Sequence, residues 1–129
     1  MVGLDTGYFI KLLEGHGEAA EVWSGIMDGD EATVSCLTLF ELARLARRGA
    51  IATQAEATLR EGIGALCHLS WLDKPDNLLL GADLSHGLGI PAVDALILAA
   101  FVAAGATVIY TADGHLEAYR KKGVRVTRL

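Results

Sequence analysis

Four acidic side chains in this 129-residue chain occupy positions where carboxylates could do chemistry: Asp5, Glu41, Asp94 and Asp113. Asp5 closes the apolar stretch VGLD, and Asp94 interrupts the apolar run GIPAVDALILAA. Burying an ionised carboxylate costs several kcal/mol, whereas the helix dipole stabilises an acid in a first turn by only about 0.3–1 kcal/mol. A carboxylate buried at either position therefore needs a compensating partner.

A divalent cation would supply that compensation if the four acids converge. Two carboxylates ~5 Å apart repel by ~3 kcal/mol at an effective dielectric constant of ~20. Either some of the groups are protonated or a cation lies among them. The set offers only oxygen ligands, which suit the hard cations Mg²⁺, Mn²⁺ or Ca²⁺. Four carboxylates are enough for one or two such ions, an arrangement that hydrolyses phosphodiesters by activating water.

Each acid also has a purely structural interpretation. Thr38 and Glu41 match a capping box, in which the glutamate bonds back to the start of its helix. Asp113 matches the N-cap of a following helix, Asp94 suits the first turn of its helix, and Asp5 suits an Asx-turn. These interpretations explain the acids singly and leave open why two of them lie among apolar residues.

The elements that must position these acids alternate along the chain. Strands are predicted over residues 2–5, 31–36, 69–73, 107–111 and 124–129. Helices are predicted over residues 6–15, with Thr6 as the cap, and over 18–29, 38–48, 53–69, 74–89, 92–104 and 114–123. This alternation predicts right-handed crossovers and a parallel sheet covered by helices on both faces.

Sites in such folds lie at the carboxyl ends of the strands. Asp5 ends the first predicted strand, and Asp113 follows the strand over residues 107–111 by two positions. Glu41 lies one turn into the helix after the second strand, and Asp94 lies in the first turn of its helix. We therefore expect all four carboxylates to meet at one edge of the sheet.

The whole chain has the composition of one globular domain spanning residues 1–129, with 52% hydrophobic residues and only two prolines. The start of the chain lacks the basic segment of a signal peptide, and Cys36 and Cys67 fit no metal-binding spacing. We therefore expect free thiols in a cytoplasmic protein. The apolar segment 92–110 is predicted to be a helix and a strand, because its helical part rises only ~20 Å and a bilayer core measures ~30 Å.

The charge is unevenly distributed. The net charge of −5 argues against broad nonspecific binding of nucleic acid, yet residues 119–129 hold five of the 11 basic residues and no acid. Arg44, Arg47 and Arg48 form a second basic cluster. Both basic groups suit either a solubilising surface or a track for phosphates beside an acidic site.

The ordered acids and their contexts resemble the PIN-domain family, in particular its VapC-like toxin ribonucleases. The resemblance rests on VGLDTGYFI, on LTLFELARL, and on GIPAVDALILAAFVAAGATVIYTAD, and it covers nearly the whole chain. It implies a three-layer α/β/α sandwich with a parallel sheet of about five strands.

The resemblance also implies a function. It predicts endonuclease action on RNA that depends on one or two Mg²⁺ or Mn²⁺ ions, a homodimer, and a small antitoxin protein that blocks the site. Asp5, Glu41, Asp94 and Asp113 match the family's acidic residues, which serve as catalytic groups and metal ligands. Thr6 and Thr111 match the family's hydroxyl-bearing residues that support these acids.

Three other interpretations compete with this one. The triplet DTG at residues 5–7 also occurs in aspartic proteases, but that fold is almost all β. A phosphoryl-accepting receiver domain would need a second acid beside Asp5 and a lysine at a late strand end, whereas Lys121 and Lys122 fall in a predicted helix. A non-catalytic PIN-like module would bind RNA or protein without cleaving RNA.

Several remaining side chains are assigned structural roles. Trp23, Trp71, Phe101 and Met27 are predicted to lie in the core. His115 receives no role. Glu117 could add a further acid to the site, although a solvated surface glutamate is the simpler interpretation.

Overall fold

The computed structural model describes residues 1–129, which form five strands and six α-helices. The strands are β1 (Val2–Leu4), β2 (Ala32–Ser35), β3 (His68–Ser70), β4 (Val108–Thr111) and β5 (Arg125–Arg128). The helices are α1 (Thr6–Leu13), α2 (Gly17–Met27), α3 (Cys36–Arg47), α4 (Thr53–Leu66), α5 (Pro75–Leu88) and α6 (Ala92–Ala104), and a short 3₁₀ helix covers Leu116–Ala118.

All five strands pair in parallel in one sheet, in the order β3-β2-β1-β4-β5. The predicted parallel sheet of about five strands is therefore confirmed. The chain builds β1, β2 and β3 towards one edge and then adds β4 and β5 on the other side of β1. The winding thus reverses between β1 and β4, and such a reversal opens a crevice at the carboxyl ends of the strands.

Side chains alternate between the two faces of the sheet and so define three layers. Leu4, Val34 and Tyr110 pack with helices α1, α2 and α4 in one apolar cluster. Ile109 packs with α6 in the second cluster, and Gly3 lies directly against the ring of Phe101. The predicted α/β/α sandwich is confirmed by these two cores.

Helix α6 is the most deeply buried helix, with six buried residues between Ala95 and Phe101. It ends at Gly105, whose φ of 78° is left-handed and therefore suits glycine. The prediction of a helix and a strand over residues 92–110 is confirmed by α6 and β4. No helix of the protein is both long enough and apolar enough to cross a bilayer.

Three predictions about local structure are wrong. Only Leu116–Ala118 is helical within the predicted helix over residues 114–123, because the chain becomes extended at Tyr119, which packs with Val124 against the core of α6. Trp71, just beyond the edge strand β3, and Met27, at the end of α2, are 57% and 58% exposed, so neither belongs to the core. Trp23 and Phe101 pack in the core as predicted.

The contact between β1 and α6 leaves no space for a side chain at Gly3. A Cβ atom there would lie 2.7 Å from Phe101 Cγ, and Phe101 is fully buried. We expect Gly3→Ala to lower the free energy of unfolding by about 1–3 kcal/mol through overpacking, measured by urea denaturation. The matched control is Gly64→Ala, on an open helical surface of α4, which should raise stability by about 0.4–1 kcal/mol. Equal stability of Gly3→Ala and the parent protein would contradict this packing.

Candidate metal centre

Asp5 lies at the junction of β1 and α1, and both of its carboxylate oxygens accept hydrogen bonds. Oδ1 accepts the Tyr8 N–H at 2.9 Å, which makes Asp5, and not the predicted Thr6, the N-cap of α1. Oδ2 accepts the hydroxyl of Thr111 at the end of β4. The residue is only 7% exposed, so its carboxylate is fixed in orientation and largely removed from solvent.

The electrostatic surroundings of Asp5 disfavour its negative charge. The pKa of Asp5 is raised from 3.8 to about 6, and burial is the largest cause. The hydrogen bonds from Thr111 and Tyr8 oppose this increase, whereas the charges of Asp113 and Asp94 contribute to it. Asp94 and Asp113 are therefore close enough to Asp5 to disfavour its ionised form.

Glu41 reaches the same region from α3. Its Oε1 accepts a hydrogen bond from the Thr6 hydroxyl at 2.5 Å, and Thr6 Oγ1 also lies 3.0 Å from the hydroxyl oxygen of the buried Thr38. The capping-box interpretation is wrong, because Ser35 is the N-cap of α3 and accepts the Leu37 N–H. Two hydroxyls thus connect the first turn of α1 to Glu41, and Thr6 orients this carboxylate.

Asp94 and Asp113 are more exposed than Asp5. The Asp94 side chain, in the first turn of α6, is 26% exposed, and that of Asp113 is 55% exposed. Burial of Asp94 is therefore less complete than its apolar neighbours predict. The backbone N–H of Asp113 lies 3.4 Å from Thr111 Oγ1, so Thr111 contacts both Asp5 and the turn that carries Asp113.

The four predicted acids line a single cleft of about 260 Å³ at the carboxyl ends of the strands. Arg44 and Arg48, at the end of α3, line the same cleft. Gly7 allows α1 to approach closely here, because a Cβ atom at Gly7 would lie 2.7 Å from the Cβ of Ala112. The cleft therefore combines a group of acids with two basic side chains.

His115, to which the sequence assigned no role, lies beside Asp94 and Asp113. Its Nδ1 lies 2.7 Å from Asp94 Oδ2 and 3.7 Å from Asp113 Oδ1. One ligand atom each from Asp94, Asp113 and His115 lie within 4.8 Å of one another. The spacing Asp-x-His was visible in the sequence, but the predicted helix over residues 114–123 concealed the turn that brings the two side chains together.

Glu117 and the basic C-terminal residues do not join the acids of the cleft. Glu117 Oε1 accepts from Arg128 Nη1 at 3.3 Å, and both side chains are about half exposed. This ion pair connects the 3₁₀ helix to β5. The sequence contains two basic groups, residues 119–129 and the cluster of Arg44, Arg47 and Arg48. Only Arg44 and Arg48 from the second of these groups line the cleft.

The donor set of the cleft fits a hard divalent cation. Asp5, Glu41, Asp94 and Asp113 supply carboxylate oxygens only, and such ligands suit Mg²⁺ or Mn²⁺. A cation among them would offset the burial and the neighbouring charges that raise the pKa of Asp5.

The fold and the acidic cleft define a parallel α/β domain with a candidate metal centre at its topological reversal. The sequence model of the PIN domain matches residues 2–122, and the chain belongs to the PIN-domain family. By sequence, no curated protein matches this chain.

Three solved structures share the fold over nearly the full length of both chains. A chain of VapBC2 from Rickettsia felis, bound to a DNA fragment from its promoter, is 15% identical with a TM-score of 0.75, covering 99% of this chain and 98% of that one. A chain of a toxin–antitoxin complex from Klebsiella pneumoniae is 18% identical with a TM-score of 0.74, covering 96% and 95%. VapC20 from Mycobacterium tuberculosis, a toxin that cleaves the sarcin–ricin loop, is 21% identical with a TM-score of 0.69, covering 97% and 99%.

The raised pKa of Asp5 predicts a pH dependence of stability in the presence of EDTA. The folded state binds a proton at the Asp5 carboxyl group more tightly than the unfolded state does. The stabilisation that this protonation gives the folded state is therefore fully present below pH ~4 and is lost as the pH rises through about 6. A shift of about two pH units corresponds to ~3 kcal/mol. Asp5→Asn, which keeps the N-cap, should flatten the curve of unfolding free energy between pH 4 and 7 and stabilise the protein at pH 7.

Asp83→Asn is the control for this measurement, because Asp83 is exposed on α5 and does not line the cleft. Its pH–stability curve should follow that of the parent protein. If the pH–stability curve of Asp5→Asn also followed that of the parent protein, the charge of Asp5 would not destabilise the folded state.

Proposed function

We propose that the protein is a metal-dependent endoribonuclease that cleaves RNA phosphodiesters with metal-activated water. The observation that carries the proposal is the meeting of four acids in one cleft, with the buried Asp5 carboxylate interacting unfavourably with Asp94 and Asp113. A group of charges that disfavour one another is stabilised by a divalent cation. The chain's membership of the PIN-domain family supports the same conclusion.

Asp5, Glu41, Asp94 and Asp113 would hold one or two Mg²⁺ or Mn²⁺ ions. When bound, such an ion supplies Lewis-acid stabilisation of the phosphate and lowers the pKa of a bound water. The hydroxyls of Thr111 and Thr6 orient Asp5 and Glu41 through the hydrogen bonds described above. These fixed orientations limit the reorganisation that metal binding requires of the ligands.

Arg44 and Arg48 are proposed to hold the RNA backbone beside the scissile phosphate. Both line the same cleft as the acids, and arginine presents a planar set of donors that matches phosphate oxygens. Their position gives the protein a local basic surface despite its net charge of −5. The exposed residues of the basic C-terminal segment could extend this contact along the RNA.

We further propose that the protein is the toxin of a type II toxin–antitoxin pair, acting in the cytoplasm as a homodimer and inhibited by a small antitoxin protein. The support is the likeness of its fold to chains from VapBC2 and from a toxin–antitoxin complex, and to the cleaving toxin VapC20.

The alternative is a non-catalytic PIN-like module that binds RNA or protein. Incubation with a pool of cellular RNA discriminates the two functions. Cleavage with Mn²⁺ that stops with EDTA supports the nuclease, whereas RNA retention without cleavage under both conditions supports the binding module.

Asp94→Asn should abolish cleavage in this assay, with a loss of at least ~100-fold in rate, because the substitution removes a ligand charge and conserves shape. The fold should be intact, since the Asp94 side chain is partly exposed. Circular dichroism and the unfolding midpoint check the fold. Asp83→Asn is the matched control and should cleave at the parent rate. Full cleavage by Asp94→Asn would contradict the assignment of the site.

Arg44→Gln should weaken RNA binding and reduce its dependence on salt. Each lost phosphate contact lowers the slope of log K against log[salt] by about 0.7 for a single strand. The measurement is fluorescence anisotropy with a labelled RNA in the non-cleaving Asp94→Asn background. The control is Arg47→Gln, since Arg47 does not line the cleft and donates to the Ala43 carbonyl instead. Equal salt slopes for the two arginine variants would exclude a role of Arg44 in binding phosphate.

A further inference from the structure

We infer that His115 is a nitrogen ligand of the metal centre, so that this protein binds its ion through mixed nitrogen and oxygen ligands and favours Mn²⁺ and the later first-row metals over Mg²⁺. The inference rests on the proposed metal centre and adds a ligand to it. The four acids alone would offer a purely oxygen-based site.

The distances fit ligands of a common ion. Ligand atoms ~2.1 Å from an octahedral ion lie about 3 Å apart when adjacent and about 4.2 Å apart when opposite. His115 Nδ1 lies 2.7 Å from Asp94 Oδ2 and 3.7 Å from Asp113 Oδ1. The first separation is slightly shorter than that of adjacent ligands, and the second lies between the adjacent and opposite values. Small shifts of the side chains would therefore bring the imidazole nitrogen and both acids to coordinating separations.

The backbone fixes His115 in this position. Its N–H donates to Asp113 Oδ1 at 2.8 Å, which ties the histidine to one of its partner ligands. The next residue, Leu116, is only 2% exposed and is buried in the α6 core. Beyond it, Glu117 pairs with Arg128 of β5. Because the turn is held on both sides of His115, the imidazole loses little further freedom on binding a metal.

The chemistry of the nitrogen ligand determines the choice of metal. Imidazole adds affinity for first-row transition metals, whose binding strengthens along the Irving–Williams order from Mn²⁺. Mg²⁺ prefers oxygen ligands and water. The side chain of His115 is 53% exposed, so it is accessible to an ion that binds at Asp94 and Asp113.

Pulsed electron paramagnetic resonance of the Mn²⁺-loaded protein tests the inference directly, independently of cleavage. The parent protein should show modulation from a directly coordinated ¹⁴N nucleus, and labelling histidine with ¹⁵N should change its frequency. His115→Gln should remove the modulation. The control is His68→Gln, because His68 begins β3 at the opposite end of the strands and is exposed, and its spectrum should equal that of the parent.

Calorimetric titration of the same proteins provides the affinities. His115→Gln should weaken Mn²⁺ binding roughly tenfold or more and change Mg²⁺ binding by less than about twofold. Mn²⁺ binding without nitrogen modulation, equally tight in the parent and in His115→Gln, would overturn the inference while leaving the proposed carboxylate site intact. Absence of Mn²⁺ binding, or binding unchanged by Asp94→Asn, would overturn the proposed metal centre as well.

Discussion

The burial of the Asp5 carboxylate is the constraint on which the rest of the cleft depends. Its two oxygens accept the Tyr8 N–H and the Thr111 hydroxyl, yet these hydrogen bonds do not offset burial, and the pKa of Asp5 rises to about 6. A carboxylic acid whose only task was to cap α1 would be more stable in an exposed position. The proposed ligand role would account for the buried position, because a bound cation would offset the desolvation that a cap does not.

The parallel sheet supplies the positions that this constraint requires. Leu4 of β1 pairs with Tyr110 of β4, so both strands end at the same level and Thr111 reaches Asp5 over a short distance. The register is in turn fixed by alternation, because Tyr110 faces one apolar core and Ile109 the other. Apolar packing far from the cleft therefore sets the distance between its polar groups.

The fold and the convergence of the acids were predictable from the residues, whereas the hydroxyl partners Thr6 and Thr111 were indicated only by the family resemblance. Asp5 and Asp113 follow strands whose β-branched and apolar patterns are strong, and the rule of strand ends locates both of them. The contacts of Glu41 and His115 depend on side chains distant in sequence, Thr6 and Asp94 respectively, and local patterns contain no signal for such pairs.

The mixture of charges in the cleft couples metal binding to RNA binding on the proposed function. Carboxylates that hold a cation would repel an RNA phosphate without it, and they line the same cleft as Arg44 and Arg48, which would attract that phosphate. One bound divalent ion would cancel two of the four formal carboxylate charges and two ions would cancel all four, so that the ion and the arginines would then attract the same backbone with less opposition. Coupling of this kind is reciprocal: RNA must tighten metal binding by the factor by which metal tightens RNA binding. An acidic protein can thereby confine its affinity for nucleic acid to the one cleft where a metal ion is held.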